Sequence, residues 1–501
     1  MGSLIEALRA PACYPHPVEG VEIVETHISW VLLAGSYAYK VKKPVRLPFL
    51  DFSTLAARRR YCEEELRLNR RTAPDLYLDV QPIAQTERGP VIGAPGEALE
   101  YAVRMRRFSS GALADATARN GELGPERIDA IAASLADFHS RMRGAGVPEA
   151  YGSAAQVAAP ALGNFDQLAA LGAANDRLSR LRAWTERECD RLAPVFDARL
   201  HTGRVRECHG DLHLGNIAFI DGRAVLFDCI EFDPALRWID VMSEVAFVVM
   251  DLHAHRIGGL AWRLLNAWFE ATGDYEGMDV LRFYCVYRAM VRAKIARIRG
   301  DIGDFEAHLA LAESFTAPQA RTLILMHGVS GSGKTTVSQA LLERLGAVRV
   351  RSDLERKRLH GLEARARSAA GPGAGIYDPA ASGRTYSRLA DVARSIIEAG
   401  YPAIVDAAFL RRAERDRFRG VARELGARCV IASCAAPEDL LRRRVARREA
   451  EGTDASDAGT AVLARQIETG EALAPEERPG AMMVETAPAA RLDDFVRRLS
   501  A

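Results

Sequence analysis

Between residues 21 and 45 the pattern is that of strands. VEIVETHIS, WVLLAG and YAYKVKKPV are rich in β-branched and aromatic residues, with Gly35-Ser36 as a turn between the last two. The period then changes. TLAARRRYCEEELRLNRR reads as a helix, LYLDVQPI and LEYAVRMRRF read as two further strands, and helical periodicity dominates from ERIDAIAASLADFHSRM onward. A small sheet with one helix, followed by a mainly helical region, predicts two lobes with a cleft between them, a usual place for a ligand. Beyond residue 320 the pattern changes again. TLILMHG is continuously apolar, as a strand buried on both faces requires. VRVRSD, YPAIVDAAF, ARCVIASCAA and AMMVETA follow, separated by helical text, and this alternation predicts a five-stranded parallel sheet.

The chain has 501 residues, too many for one ordinary domain of ~100–200 residues. The segment AESFTAPQAR lies between the last helical periodicity and TLILMHG, so the expected domains are 1–318 and 319–501. Gly/Ala-rich stretches at 361–375 and 450–460 read as mobile loops inside the second piece. The fold class expected is therefore α+β for a bilobal first domain and α/β for the second.

With 48% apolar and 27% charged residues, the composition excludes a disordered or fibrous chain. Lys+Arg number 67 against 66 Asp+Glu, a formal charge of +1, so no global field gathers polyanions and a nucleic-acid partner is disfavoured. The eight Cys form no CxxC and no zinc-type spacing, which predicts free thiols and a cytoplasmic chain. The N-terminus carries an early Glu and no apolar core, so it does not read as a signal peptide. The most apolar helical stretch, VMSEVAFVVMDL, is interrupted by Glu244 and ends at Asp251, so no membrane association is expected. The pattern specifies no oligomeric state.

Within the first piece, CHGDLHLGNIAFIDGRAVLFDCIEFD carries the most chemistry. Asp221-Gly222 is a hairpin turn between IAFI and AVLFD. The hairpin puts Asn216 at its entry and Asp228 at its exit, with Asp211 on the preceding loop. Two carboxylates and an amide oxygen suit Mg²⁺, which takes oxygen ligands. One carboxylate remains to accept a hydroxyl proton. That is the minimum equipment for phosphoryl transfer, where catalysis is mostly positioning and charge neutralisation.

The run His209-Gly210-Asp211-Leu212-His213-Leu214-Gly215-Asn216 resembles the catalytic loop of aminoglycoside phosphotransferase-like kinases, which share the protein-kinase fold. The resemblance extends in outline over 20–300. It implies Asp211 as catalytic base, with Asn216 and Asp228 as Mg²⁺ ligands. His209 reads as a brace for the loop backbone. Such a kinase also needs a strand Lys on the nucleotide phosphates, paired with a helix Glu. Lys40 and Lys42 lie two apart and so share a strand face, and either suits, with Lys42 preferred. Of Glu63, Glu64 and Glu65, Glu65 is favoured because it lies on the face that carries Cys62 and Leu68. No glycine-rich phosphate loop precedes WVLLAG; Thr26-His27-Ile28-Ser29 stands there, which leaves ATP and GTP both open for this half. Arg288 and Arg292, with Lys294 nearby, are candidates to grip an anionic acceptor. Asp240 reads as a helix cap.

In the second piece, Gly328-Val329-Ser330-Gly331-Ser332-Gly333-Lys334-Thr335-Thr336 follows a strand and opens a helix, the context of a phosphate-binding P-loop. Glycines let backbone N–H groups turn in around the β-phosphate at the positive end of the helix dipole. Lys334 is expected on the β/γ-phosphates and Thr335 on Mg²⁺. Asp353, at the end of the second strand, could accept a hydroxyl proton, and Asp406, at the end of the third, could hold Mg²⁺-bound water. The helix DLLRRRVARREAEG offers arginines to transferring phosphoryl oxygens; Arg444 and Arg448 are preferred over Arg443 and Arg447. This half is similar to P-loop kinases of small hydroxylated molecules, a group that includes gluconate kinases, chloramphenicol phosphotransferases, polynucleotide 5′-hydroxyl kinases and zeta-type toxins.

The expectation is a fusion of two kinases. Each would use ATP and Mg²⁺ to phosphorylate a hydroxyl of a small molecule. A polynucleotide 5′-hydroxyl kinase or repair factor, and a regulatory or toxin-like nucleotide-binding module, are the alternatives.

Overall fold

The computed structural model describes residues 1–47, 50–144, 146–363, 366, 375–451, 459–486 and 492–500. The loops expected at 361–375 and 450–460 fall largely outside these residues. The chain forms two compact units: Met1–Pro160 with Phe196–Asp251, and Ala161–Val195 with Leu252–Ala501.

The first unit is built on a six-stranded antiparallel sheet. Its strands are β1 (Val21–Glu25), β2 (Ser29–Ala34), β3 (Tyr37–Lys42), β4 (Tyr77–Thr86), β5 (Gly89–Ile92) and β6 (Ala98–Arg106), in the order β1-β2-β3-β6-β4-β5. Strand alternation divides β3 between two cores. Tyr39 and Val41 pack with Leu8, Leu32 and Ile83 on one face. Ala38 packs with Cys62, Tyr77 and Val103 on the other, the face that also carries Lys40 and Lys42. Helix α1 (Leu55–Asn69) begins where the Thr54 side chain accepts the Ala57 amide at 3.1 Å. Its buried residues, Arg58, Cys62, Glu65, Leu68 and Asn69, recur at helical spacing.

Helix α2 (Pro125–Arg141) buries Ile128, Ile131, Leu135 and Phe138. Beyond it, β7 (Val205–Glu207) pairs with β10 (Trp238–Asp240), and β8 (Ile217–Ile220) with β9 (Arg223–Leu226). The β8–β9 turn is the expected Asp221-Gly222, with φ of 50° and 74° at its two residues. Asp240 leads into helix α3 (Val241–Ala254), where its Oδ1 accepts the Met242 amide at 2.9 Å, as a cap should.

The second unit holds helices α4 (Gly258–Thr272) and α5 (Met278–Arg299) together with a five-stranded, all-parallel sheet. The sheet strands are β11 (Thr322–His327), β12 (Val348–Arg351), β13 (Ala403–Asp406), β14 (Arg428–Ala435) and β15 (Ala481–Glu485), in the order β12-β13-β11-β14-β15. The five strands match the five expected from the apolar runs. All but one residue of β11 are buried, which is why its text is continuously apolar. Helices α6 (Lys334–Leu345), α7 (Ser352–Leu359), α8 (Pro379–Glu398), α9 (Arg412–Glu424), α10 (Glu438–Glu451) and α11 (Thr460–Thr469) complete the α/β arrangement.

Helix α4 precedes the expected boundary at 318, yet it packs on the parallel sheet. The Asn266 side chain donates to Ala347 O at 3.0 Å and accepts the Arg349 amide at 2.6 Å. It takes the place of a strand neighbour along β12, an edge strand whose backbone groups need partners.

Among the described residues no helix is long and apolar enough to cross a membrane. All eight cysteines are free, and seven are buried.

Candidate functional site

Two clusters of chemically active side chains stand out, one in each unit. In the first, Glu65 is fully buried and bridges two lysines of β3. Lys40 Nζ donates to its Oε1 at 2.8 Å and Lys42 Nζ to its Oε2 at 2.7 Å. The lysines then diverge. Lys40 also donates to Asp228 Oδ1 at 2.5 Å, and Asp228 keeps 42% of its side chain exposed. Lys42 is fully buried and donates instead to Glu231. Of the two candidate lysines, Lys42, the one preferred from the sequence, has its ammonium closed off between two carboxylates, whereas that of Lys40 ends beside the exposed Asp228. Burial alone would lower the Lys40 pKa, but Asp228 and Glu65 raise it well above the ordinary value. Burial alone would raise Asp228, but the Lys40 charge outweighs it and holds the carboxyl below its usual range. Glu63 and Glu64 are spent on Arg59 and on Arg67 and Arg237.

The loop before β8 brings two more groups to the region. Asn216 Nδ2 donates to Asp211 O at 2.9 Å, which leaves its Oδ1 as the atom available to a cation. The Asp211 carboxylate is 40% exposed, and His213 Nε2 lies 3.7 Å from its Oδ2. Asp228 sits at a φ of +65°, an unusual backbone for a side-chain-bearing residue, held by its amide donating to the Tyr77 hydroxyl at 3.2 Å. Three carboxylates (Glu65, Asp228, Glu231) face two ammoniums (Lys40, Lys42). The half-exposed Asp228 carboxylate and the Asn216 amide oxygen are donors of the kind a hard divalent cation such as Mg²⁺ takes. Asn216 and Asp228 are the residues that would hold it.

The catalytic-type loop is fixed from beneath. Buried Glu244 of α3 accepts the amides of His209 at 2.6 Å and Gly210 at 2.9 Å on one oxygen, and His139 Nε2 at 2.8 Å on the other. His209 in turn donates from Nε2 to Phe227 O at 2.7 Å, the bracing role expected of it. Asp251 accepts the Leu214 amide at 2.8 Å. Gly210 has a φ of +92°, and a Cβ there would stand 2.7 Å from Leu236 O, so only glycine fits. Glu231, Glu244 and Asp251 are not among the site residues expected from the sequence. The turn at 26–29 is closed on itself: the Thr26 hydroxyl donates to Ser29 O and accepts the Ser29 amide.

In the second unit the P-loop joins β11 to α6 at the carboxyl end of the sheet, where open α/β sheets bind ligands. Gly328, Gly331 and Gly333 all have positive φ. A Cβ on Gly328 would stand 2.5 Å from Cys434 O. Lys334 Nζ donates to the carbonyls of Gly328 and Val329 at 2.8 and 2.9 Å. Burial lowers its pKa, opposed by Asp406. Thr335 Oγ1 donates to Asp406 Oδ2 at 3.0 Å. That hydroxyl–carboxylate pair suits a phosphate-bound Mg²⁺, which Thr335 and Asp406 would hold, and in the P-loop itself the buried Ser332 Oγ has no partner among the described residues. Ser330 donates its amide to Gln466 of α11 at 2.7 Å, and Thr336 is exposed at the first turn of α6.

Asp353 lies inside the first turn of α7, whose cap position is Arg351, so it is not the helix cap. It is close enough to Lys334 to raise that residue's pKa, while Arg448 lowers it. Arg444 is engaged with Gly331 and Thr486: it donates to Gly331 O at 3.2 Å, to Thr486 Oγ1 at 3.0 Å and to Thr486 O at 2.8 Å. Arg443 pairs with Asp439 in solvent. On α5, Arg288 is buried and stacks over Tyr287, and Arg292 Nε is buried without a partner among the described residues. Burial lowers the pKa of Lys294.

Residues 45–290 match the sequence profile of the phosphotransferase enzyme family, and residues 323–473 match that of an AAA domain. An uncharacterized protein of Mycobacterium tuberculosis (strain H37Rv) is 29% identical over 469 residues, spanning 91% of this chain and 93% of its own length. An uncharacterized protein of Mycobacterium bovis matches to the same extent. Among solved structures, a gluconokinase from Sinorhizobium meliloti aligns with 36% of this chain and 89% of its own, at 22% identity and a TM-score of 0.25. A choline/ethanolamine kinase family protein from Mesorhizobium loti aligns with 63% of this chain and 93% of its own, at 11% identity and a TM-score of 0.38. The chain thus carries a protein-kinase-like domain of the phosphotransferase enzyme family followed by a C-terminal P-loop kinase domain, and it is a kinase.

Proposed function

We propose that the chain is an ATP- and Mg²⁺-dependent phosphotransferase with two nucleotide sites, one in 1–318 and one in 319–501. Each transfers the γ-phosphate to a hydroxyl of a small molecule. The observation that carries this reading is that each cluster pairs a phosphate-directed lysine with oxygen ligands for a cation: Lys40 with Asp228 and Asn216, and Lys334 with Thr335 and Asp406.

In the first site Lys40, held by Glu65, binds the nucleotide phosphates. Asp211 accepts the proton of the acceptor hydroxyl, and its exposure supports access by substrate. In the second site the P-loop and Lys334 cradle the β- and γ-phosphates, Asp353 serves as base, and Arg448 neutralises charge on the transferring group. Arg444 positions the loop through Gly331. A small acceptor is favoured over a polynucleotide because several arginines of α10 are already paired: Arg442 with Glu438, Arg443 with Asp439, Arg444 with main chain. Few remain to track a phosphate backbone.

The test is mass spectrometry of a metabolite extract incubated with ATP, Mg²⁺ and the full chain, beside Asp211→Asn and Lys334→Ala. A product heavier by about 80 Da, one phosphoryl group, and lost in one variant would assign both acceptor and site. Products that persist in both variants would remove the reading.

A further inference from the structure

Helix α4 reaches the P-loop site through a chain of contacts that no motif announces. Glu270, near its C-terminal end, accepts from Arg349 of β12: Nε at 3.0 Å and Nη2 at 2.6 Å, both to Oε1. The Arg349 side chain is 5% exposed, and Glu270 is the carboxylate it meets among the described residues. The third nitrogen of the same guanidinium, Nη1, donates to Thr335 O at 3.3 Å and to Ser338 Oγ at 3.1 Å. Ser338 Oγ lies 3.3 Å from Asp406 Oδ2, the oxygen that accepts the Thr335 hydroxyl. Arg351 closes the circuit, with Nη1 3.4 Å from Glu270 Oε2 and Nε 3.9 Å from Asp406 Oδ2.

Glu270 therefore supplies a counter-charge to two arginines, Arg351 beside Asp406 and Arg349 linked to it through Ser338. A buried guanidinium without an anion is strongly unfavourable, and it turns toward whatever carboxylate remains. For Arg351 one such carboxylate is Asp406, 3.9 Å from its Nε. An arginine drawn onto Asp406 would compete with a cation for the same oxygens. It would also pull on Thr335 O and Ser338, in the first turns of α6.

We propose that Glu270 is a positioning residue of the P-loop site. Acting through Arg349 and Arg351, it keeps Asp406 and Thr335 disposed toward Mg²⁺, so that metal-supported nucleotide binding in the C-terminal half depends on a helix N-terminal to it. This rests on the P-loop reading proposed above.

The test is the affinity of the full chain for a fluorescent ADP analogue, titrated with and without Mg²⁺. The binding that survives in Lys334→Ala is subtracted to isolate the P-loop site. Glu270→Gln keeps the shape of the side chain and removes its charge. Residues that orient metal ligands from behind typically change metal affinity by about 10–100-fold. The expected result is a loss of about ten-fold in the Mg²⁺-dependent gain in affinity, with Mg²⁺-free affinity unchanged. Ser338→Ala cuts the same chain inside α6 without touching α4. It should move the Mg²⁺ dependence in the same direction, and the double variant should lose less than the product of the two. An unchanged Mg²⁺ gain in Glu270→Gln would overturn the inference, as would equal losses with and without Mg²⁺, the signature of a merely structural role. If Glu270→Gln does not fold, a wild-type Mg²⁺ gain in Ser338→Ala overturns it. Undiminished binding in Lys334→Ala would remove the P-loop reading and this inference with it, whereas failure at Glu270 alone leaves that reading standing.

Discussion

Lys40 Nζ stands 2.5 Å from Asp228 Oδ1, while Lys42, two residues along the same strand, is shut between Glu65 and Glu231. Two lysines of one face thus end in different surroundings, and the proposed phosphate role falls to Lys40. Lys40→Met should lower turnover of the N-terminal site by about 10²–10³-fold, the usual loss when a charge stabiliser is removed, with little change in melting temperature. Lys42→Met breaks a buried pair and should instead cost about 3–5 kcal/mol of stability. Turnover and thermal unfolding measured on both variants check this; a reversed pattern would hand the phosphate role to Lys42.

Asp211 has an exposed carboxylate and a backbone tied to Asn216. Asp211→Asn keeps the shape and removes the base. Turnover at this site should fall by about 10²–10⁴-fold, while nucleotide affinity stays near wild type. Wild-type rates in Asp211→Asn would end the assignment.

What could be read in the sequence follows from locality. Asp211, Asn216 and Asp228 fall within eighteen residues, and the hairpin that gathers them is announced by Asp221-Gly222. The P-loop is one contiguous run between a strand and a helix. Partners that arrive from far along the chain leave no such mark. Glu231 meets Lys42 across 189 residues, and Glu244 reaches the His209 amide across 35. The choice between Lys40 and Lys42 was illegible because a period of two puts both on one face and says nothing of depth. The packing of α4 on the parallel sheet was illegible too, since Asn266 imitates a strand with its side chain.

Glu244 gives a prediction about stability that is separate from chemistry. Burial alone would raise its pKa, but the His139 contact and the Gly210 amide hold it below the ordinary value. Replacing it with Ala leaves His139 and two loop amides without their acceptor. The expected cost is about 3–5 kcal/mol, with a much smaller cost for Glu244→Gln, which can still accept. Denaturant unfolding of the two variants separates these values; near-equal midpoints for Ala and wild type would show that the loop is held by other means.

His327 ends β11 immediately before the P-loop, and its Nδ1 lies 2.9 Å from Ser433 Oγ. Burial first, then the charges of Arg415 and Lys334, push its pKa from 6.5 down to about 4. In the folded chain the ring is therefore neutral at pH 5, whereas in the unfolded chain it is protonated. The unfolded state binds the extra proton, so stability falls with falling pH, starting near 6.5 and levelling off near 4. The size expected from one such group, reduced for its partial exposure, is on the order of 1–2 kcal/mol. Melting temperatures between pH 7 and pH 4.5 should fall more steeply for the wild type than for His327→Gln, which cannot take up the proton. Parallel curves for the two proteins would show that His327 does not titrate across this window.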